Sequence, residues 1–186
     1  QLDWERYHKL IQNKEATGWF YHGSTILAVA DEIGKILSED KDRPVIINVY
    51  GAAGGEEAYS LALILRHRHP DQAHRLKIIA ADKVSQDIRE LQYLNANFVP
   101  EEFQDAIPQY FDEVLQHPHS DWSDQSQSET IYKLKEEFLS LVELQTLDVL
   151  KYHPEKESTD VILANGFLGG HIGTENGLED VLRKFH

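Results

Sequence analysis

Residues 49–65 read VYGAAGGEEAYSLALIL, with glycine at 51, 54 and 55 and alanine at 52 and 53. Small residues let a backbone turn sharply and approach a ligand without a Cβ in the way. The apolar stretch that follows has helical length, and a helix start presents N–H groups with no intrahelical acceptor. That geometry suits a phosphate. Here, however, Glu56 and Glu57 occupy the first turn. Two carboxylates repel a pyrophosphate and favour a ligand carrying an ammonium or sulfonium group, so S-adenosylmethionine fits the charge pattern better than NAD. The plain alternative is that both acids serve the helix dipole, at about 0.3–1 kcal/mol each. Asp82, at the end of LKIIAAD, adds to the ligand reading, because an acid there accepts from both hydroxyls of an adenosine ribose in either cofactor class.

The elements that must position these residues alternate along the chain. VIINVY (45–50) and LKIIAAD (76–82) are short, continuously apolar, and bounded by turn residues, as buried strands are. The glycine turn leads into a helix that Pro70 stops. Before it, Ser24 is expected to cap TILAVADEIGKIL, whose Ile26, Val29, Ala30, Ile33, Ile36 and Leu37 form one stripe. Residues 2–12 and TENGLEDVLRKFH also have helical patterning, SQDIRELQYLN reads as a helix capped by Ser85, and two short helical pieces are expected at 100–106 and 108–116. LSLVELQ and DVILAN read as further strands. HPHSDWSDQSQSE is the one stretch of loop or insertion character. Buried strands alternating with helices predict an α/β fold with a mostly parallel sheet and helices on both faces. Right-handed crossovers bring the strand ends carrying Gly51, Asp82, Asp148 and Asn165 to one edge, where open α/β sheets bind ligands.

Composition narrows the classes. The chain has 186 residues, 41% hydrophobic and 27% charged, which is the profile of one soluble globular domain. A formal net charge of −14 argues against nucleic acid. No apolar run approaches the roughly 20 residues of a membrane-spanning helix. Cysteine is absent, so thiolate chemistry and disulfides are excluded and a cytoplasmic setting is the expectation. Methionine is absent too, including at position 1, which reads either as a processed or truncated chain or as one written without modified methionines. His67 and His69, and His117 and His119 with Asp121, have the spacing of solvated loop imidazoles, and no metal site is expected. No Gly-x-Ser-x-Gly or Walker sequence occurs. Trp4 and Trp122 read as packing residues; Trp19 stands out because it adjoins Thr17.

GAAGGEEAYSLALIL followed by IIAADKVSQDIRELQYLNANFVPEEFQDAIPQYF resembles the CheR-type chemoreceptor glutamate methyltransferases. The shared features are a small-residue turn, the string GEE-x-YS, a strand ending in A-x-D, and a YF pair. The likeness runs back to EATGWFYHG, similar to the family's T-x-F-F-R, and forward through YKLKEEFLSLVELQTLDVL and DVILANGFLGG, covering roughly residues 14–170. It implies a Rossmann-like class I methyltransferase fold. Residues 1–40 would form an N-terminal helical segment with a cofactor-contacting loop, and 41–186 the cofactor-binding domain, with a small insertion or loop near 117–134. It further implies S-adenosylmethionine as cofactor, S-adenosylhomocysteine as product, and a protein acceptor as in bacterial chemotaxis. Carried over by position, Thr17 contacts the methionine end of the cofactor and Glu57 lies near its amino group, while Gly51 and Ala52, small residues of the turn, let the backbone approach it. Asp82 takes the ribose, Asp148 and Val149 flank the adenine, and Ala164 and Asn165 match the family's Cys-Arg pair.

The departures fall on the acceptor side. Tyr21 stands where the resemblance places an arginine, Asn165 where it places a second, and Gly170 where it places a tyrosine. Two cations that would clamp an anionic acceptor are therefore replaced. Two functions follow: a divergent methyltransferase with an altered acceptor, or a catalytically silent module that binds S-adenosylmethionine for regulation or interaction. A nicotinamide oxidoreductase is disfavoured by Glu56 and Glu57. Because the chain stops before the final strands of such a sheet, DVILAN is expected near an open edge, with self-association or a strand-completing partner.

Overall fold

The computed structural model describes residues 19–20, 23–40, 42–83, 93–95, 99–117, 129–148, 151 and 158–164. The expected helices at 2–12 and 174–186, and most of SQDIRELQYLN, lie outside them. α1 spans Gly23–Glu39. Ile26, Ala30, Ile33 and Leu37 are fully buried on it, and Val29 and Ile36 pack at the margin of the same core, as the stripe predicts. The helix begins one residue before Ser24, so Ser24 lies in the first turn and not ahead of it. β1 spans Val45–Tyr50 and α2 spans Glu56–Arg68. α2 is buried on nearly every side from Ala58 to Leu65, which its apolar run, interrupted only by Ser60, requires.

β2 spans Leu76–Asp82 and pairs with β1 in parallel from Val45↔Leu76 to Tyr50↔Ala81. Two later strands, β6 (Val142–Thr146) and β7 (Val161–Leu163), join them, giving among the described residues a four-stranded sheet in the order β6-β2-β1-β7, parallel at every pairing. The chain thus builds outward from β1 through β2 to β6, then returns to lay β7 on the other side of β1. The order reverses beside β1, and such a reversal leaves a crevice at the strands' C-terminal ends. Among the described residues β6 and β7 are the two edges of this sheet. α1 and α2 pack against each other, α1 against β1 and α2 against β2.

Two polar clusters hold this frame, the first around a buried arginine and the second part-exposed. The Arg75 guanidinium donates to the carbonyls of Leu37 (3.0 Å), Arg43 (3.1 Å) and Asp40, and to Gln72 Oε1 (3.0 Å). It satisfies the last carbonyls of α1, which have no helical donor of their own. At the start of β7, Asp160 accepts from the Ile46 N–H (2.8 Å) and from Arg43 (2.6 Å), while Asn48 Nδ2 donates to Thr159 Oγ1 (2.6 Å). These bonds set the register of β7 on β1.

Between β2 and β6 the structure departs from the sequence expectation. β3 (Tyr93–Asn95), β4 (Phe111–His117) and β5 (Glu129–Leu134) form a separate antiparallel sheet with β5 in the centre. The expected helix over 85–95 therefore does not include its last three residues, and the expected helical piece at 108–116 is helix only at Ile107–Tyr110 (α4), after a short α3 at Glu101–Gln104. The stretch near 117–134, expected to be an insertion or loop, contributes the end of β4 and all of β5. The register of β4 on β5 shifts between Glu113 and Leu115, a bulge at Val114. That extra residue breaks the period-two pattern and leaves apolar residues at 111, 114 and 115, which is helical spacing. LSLVELQ is likewise split into a 3₁₀ turn at Glu136–Leu141 and β6.

An aromatic cluster ties this region to α2. Phe103 stacks on Tyr110 at 5.4 Å, Tyr110 meets Phe138 edge-on at 5.0 Å, and Trp19 meets Phe111 edge-on at 5.2 Å. The Arg66 guanidinium sits 5.5 Å over the Phe138 ring. Burial pushes the Tyr110 phenol above its ordinary value, against a smaller opposing pull from Arg66. No helix among the described residues is long and apolar enough to cross a membrane.

Candidate functional site

β1 delivers the chain to the crevice at Tyr50, and the next five residues reverse it. Gly51 takes φ 68° and Gly55 φ 89°, conformations that glycine adopts without a Cβ penalty. Ala53 takes φ 46° without that freedom. The turn is stitched to β2: the N–H groups of Gly51 and Ala52 both donate to the Ala81 carbonyl, at 3.0 and 3.3 Å, and Gly55 N–H donates to Ala52 O at 2.6 Å. The Ala53 N–H then donates to Asp82 Oδ2 at 3.0 Å. The left-handed alanine thus turns its amide onto the carboxylate at the end of β2 and orients it.

α2 starts immediately after Gly55, with Glu56 and Glu57 in its first turn. Glu56 is buried, with 5% of its surface exposed, and Glu57 is half-buried. The helix start carries partial positive charge, which stabilises both carboxylates. The residues past β6 come to the same edge, because Leu147 N–H donates to the Asp82 carbonyl at 2.7 Å. Asp148 follows, half-buried, with Lys151 Nζ 3.0 Å from its carboxylate. Lys151 is largely exposed, so this pair contributes little and gives way readily to another donor. Beneath lies a small apolar floor: Tyr50 and Ala81 are buried, with Leu147, Ile162 and Ala164 packed on them.

The structure therefore brings Gly51, Ala52, Glu57, Asp82, Asp148 and Ala164 to one edge of the parallel sheet. Thr17, Val149 and Asn165, and the acceptor-side positions Tyr21 and Gly170, lie outside the described residues. An oriented strand-end carboxylate, two acids at a helix start, a backbone turn without bulky side chains and an apolar patch are groups able to hold an adenosyl sulfonium.

Two neighbours of these acids make bonds that no local pattern in the sequence announces. Ser60, fully buried, accepts from Phe20 N–H at 2.8 Å and donates to Glu56 O at 2.7 Å. The Tyr59 hydroxyl donates to the Leu139 carbonyl at 2.7 Å. Trp19 is buried between Tyr59 and Phe111, and its Nε1–H finds no acceptor among the described residues. An open groove of about 540 Å³, lined by Asp31, Lys35, Glu39, Arg68 and His69 among others, lies at the opposite end of α2 from the glycine turn. Among the described residues no group of three or more His, Asp or Glu side chains is placed to hold a metal ion.

The family model described as CheR methyltransferase, SAM binding domain, matches residues 15–168. The chain belongs to this family, and its four-stranded parallel sheet with flanking helices is the core of the class I S-adenosylmethionine-dependent methyltransferase fold. No curated protein matches the chain.

Proposed function

We propose that the chain binds S-adenosylmethionine across the C-terminal ends of β1 and β2 and is a methyltransferase whose acceptor differs from the receptor glutamate of its family. The observation that carries the cofactor half is the coupling of the left-handed Ala53 amide to Asp82 at 3.0 Å beside the acidic start of α2. In this reading Asp82 accepts from the ribose hydroxyls, Glu57 faces the cofactor's amino group, and Gly51 and Ala52 let the backbone pass close beneath. Asp148 and Val149 flank the adenine, and Thr17, Ala164 and Asn165 complete the pocket. The cofactor, when bound, supplies an electrophilic methyl group on a sulfonium. The protein's part is to hold that methyl in line with the acceptor and to stabilise the cofactor's positive charge until transfer.

The acceptor half rests on sequence. Tyr21, Asn165 and Gly170 stand where the resemblance places two arginines and a tyrosine. A carboxylate acceptor drawn from water without a paired cation is costly by several kcal/mol, and each 1.36 kcal/mol is about tenfold in rate. The same three replacements favour a second reading, a module that retains the cofactor and has lost transfer. The test is transfer of labelled methyl groups to a chemoreceptor fragment. The parent chain is expected to give little or none, and Tyr21→Arg with Asn165→Arg is expected to raise it. Robust transfer by the parent chain would contradict the proposed change of acceptor, and a purified chain that binds cofactor but methylates no offered protein would favour the silent module.

A further inference from the structure

We propose that β6 is a docking edge for a second copy of this chain, paired antiparallel to its own mate about a two-fold axis at Leu144. β6 is an edge of the parallel sheet among the described residues. Glu143, Leu144, Gln145 and Thr146 are all exposed, so both faces of the strand are open there. Leu144 is 41% exposed, the one large hydrophobic residue so placed among the described residues. The pairing with β2 decides which backbone groups face outward. Leu147 N–H donates to the Asp82 carbonyl, so the backbone groups of the odd-numbered residues turn toward β2. Backbone direction alternates along a strand, and the N–H and C=O of Leu144 and Thr146 therefore point away from the sheet. Natural edges are blunted by lysine, proline or a bulge. VELQT has neither lysine nor proline, and its register on β2 runs without a shift.

The residues of the strand complement one another under that axis. Two copies of one edge meet so that residue i faces residue j and j faces i. An axis at Leu144 pairs the whole strand: Leu144 with its own mate, Val142 with Thr146, and Glu143 with Gln145. The Gln145 amide already donates to Glu143 Oε1 at 2.8 Å within the strand, so the axis brings together a donor and its acceptor. An axis at Glu143 would set two carboxylates directly opposite, which is destabilising. An axis at Gln145 leaves Val142 without a mate. The pairing at Leu144 joins two four-stranded sheets into one. The ends of β1 and β2 in the two copies then point in opposite directions, so both crevices stay open. The formal charge of −14 on each copy opposes the approach, and salt that screens it strengthens the pairing.

The experiment is sedimentation equilibrium of the full chain from about 10 µM to 1 mM, where small interfaces associate, in low and high sodium chloride. The parent is expected to pass from monomer toward dimer, at lower concentration in high salt. Leu144→Pro removes an outward N–H and no bond to β2, and is expected to stay monomeric throughout. Gln145→Glu sets carboxylates opposite one another twice and is expected to weaken association roughly tenfold, whereas Gln145→Lys, facing Glu143, strengthens it. The chain has no cysteine, so a single one reports the register. Facing residues of such a pair lie about 5.5 Å apart, within disulfide reach. Leu144→Cys is expected to link two copies on mild oxidation, and Gln145→Cys, whose mate is Glu143, is not. A parent that stays monomeric at every concentration and both salts overturns the proposal. So does a dimer that Leu144→Pro leaves intact, which would use another edge such as β7, or association that weakens with salt, which would mean cationic groups meeting acidic ones. Should Leu144→Pro fail to fold, the cysteines decide: linkage at Leu144→Cys alone supports the axis, and equal linkage or none contradicts it.

Discussion

Every residue of β1 pairs with β2 without interruption, whereas β4 slips by one residue on β5 between Glu113 and Leu115. The first region carries the candidate site on a turn of five residues between a buried strand and a buried helix. The second is an antiparallel sheet whose ladder runs on past its strands in Lys135 N–H to Tyr110 O at 3.0 Å, and it meets the first region through aromatic rings. Both are folded by burial of apolar surface, but they distribute specificity differently. In the parallel region, consecutive residues state their structure directly: an apolar run, a glycine turn, two acids, an apolar helix. In the antiparallel region the information lies between segments, in which residue of 111–117 meets which residue of 129–134.

The sharpest way to break this comparison is to remove the ring at its junction. Tyr110 is buried among Phe103, Phe138 and His67. Tyr110→Ala is expected to cost about 3–5 kcal/mol, as loss of a buried aromatic does. Hydrogen exchange tells which region feels it. Faster exchange is expected first in β4 and β5, with β1 and β2 protected until global unfolding; simultaneous loss everywhere would mean the two sheets are one cooperative unit.

The complementary change lies at the site. Asp82→Ala is expected to weaken S-adenosylhomocysteine binding by about 1.5–3 kcal/mol, through loss of charge-assisted bonds to the ribose. Exchange in β4 and β5 should not alter. Unchanged affinity in a folded Asp82→Ala protein would reduce the strand-end acid to a turn residue that serves Ala53. A smaller effect of opposite sign is expected at Ala53, where φ 46° is unfavourable for any residue with a Cβ. Ala53→Gly should stabilise the fold by about 0.5–1 kcal/mol, read as a higher unfolding temperature. A decrease would show that the alanine methyl packs usefully.

The smallest effect is one of pH. Burial raises the Tyr110 phenol above its usual 10.0, so the folded state holds that proton more tightly than the unfolded chain does. Its contribution to stability is present in full below pH 10.0 and is lost as pH rises through the folded-state value. Tyr110→Phe should flatten the alkaline limb of the stability curve; an identical limb in both proteins would place the effect elsewhere.

What could be read in the sequence follows the same division. VIINVY and LKIIAAD coincide with β1 and β2 residue for residue, because a strand buried on both faces is a continuous apolar run bounded by turn residues. Glu56 and Glu57 fall in the first turn of α2 as expected, and Asp82 closes β2 beside them. β4 was not legible, because the bulge at Val114 gives FDEVLQH the apolar spacing of a helix. The role of Ser60 was hidden for another reason: its partner, Phe20, is distant in sequence, and no local pattern announces a hydroxyl acting across a fold. Arg75 is similar, since a lone arginine before a strand does not show that it will saturate the end of α1.

A glycine turn flanked by two acids should select a cationic adenosyl ligand over a dinucleotide. Calorimetric titration of the purified parent chain with S-adenosylmethionine and, separately, with NAD tests it most directly. Saturable binding of S-adenosylmethionine with one site per chain is expected, with no binding of NAD at comparable concentration. NAD bound as tightly as S-adenosylmethionine, or more tightly, would contradict it.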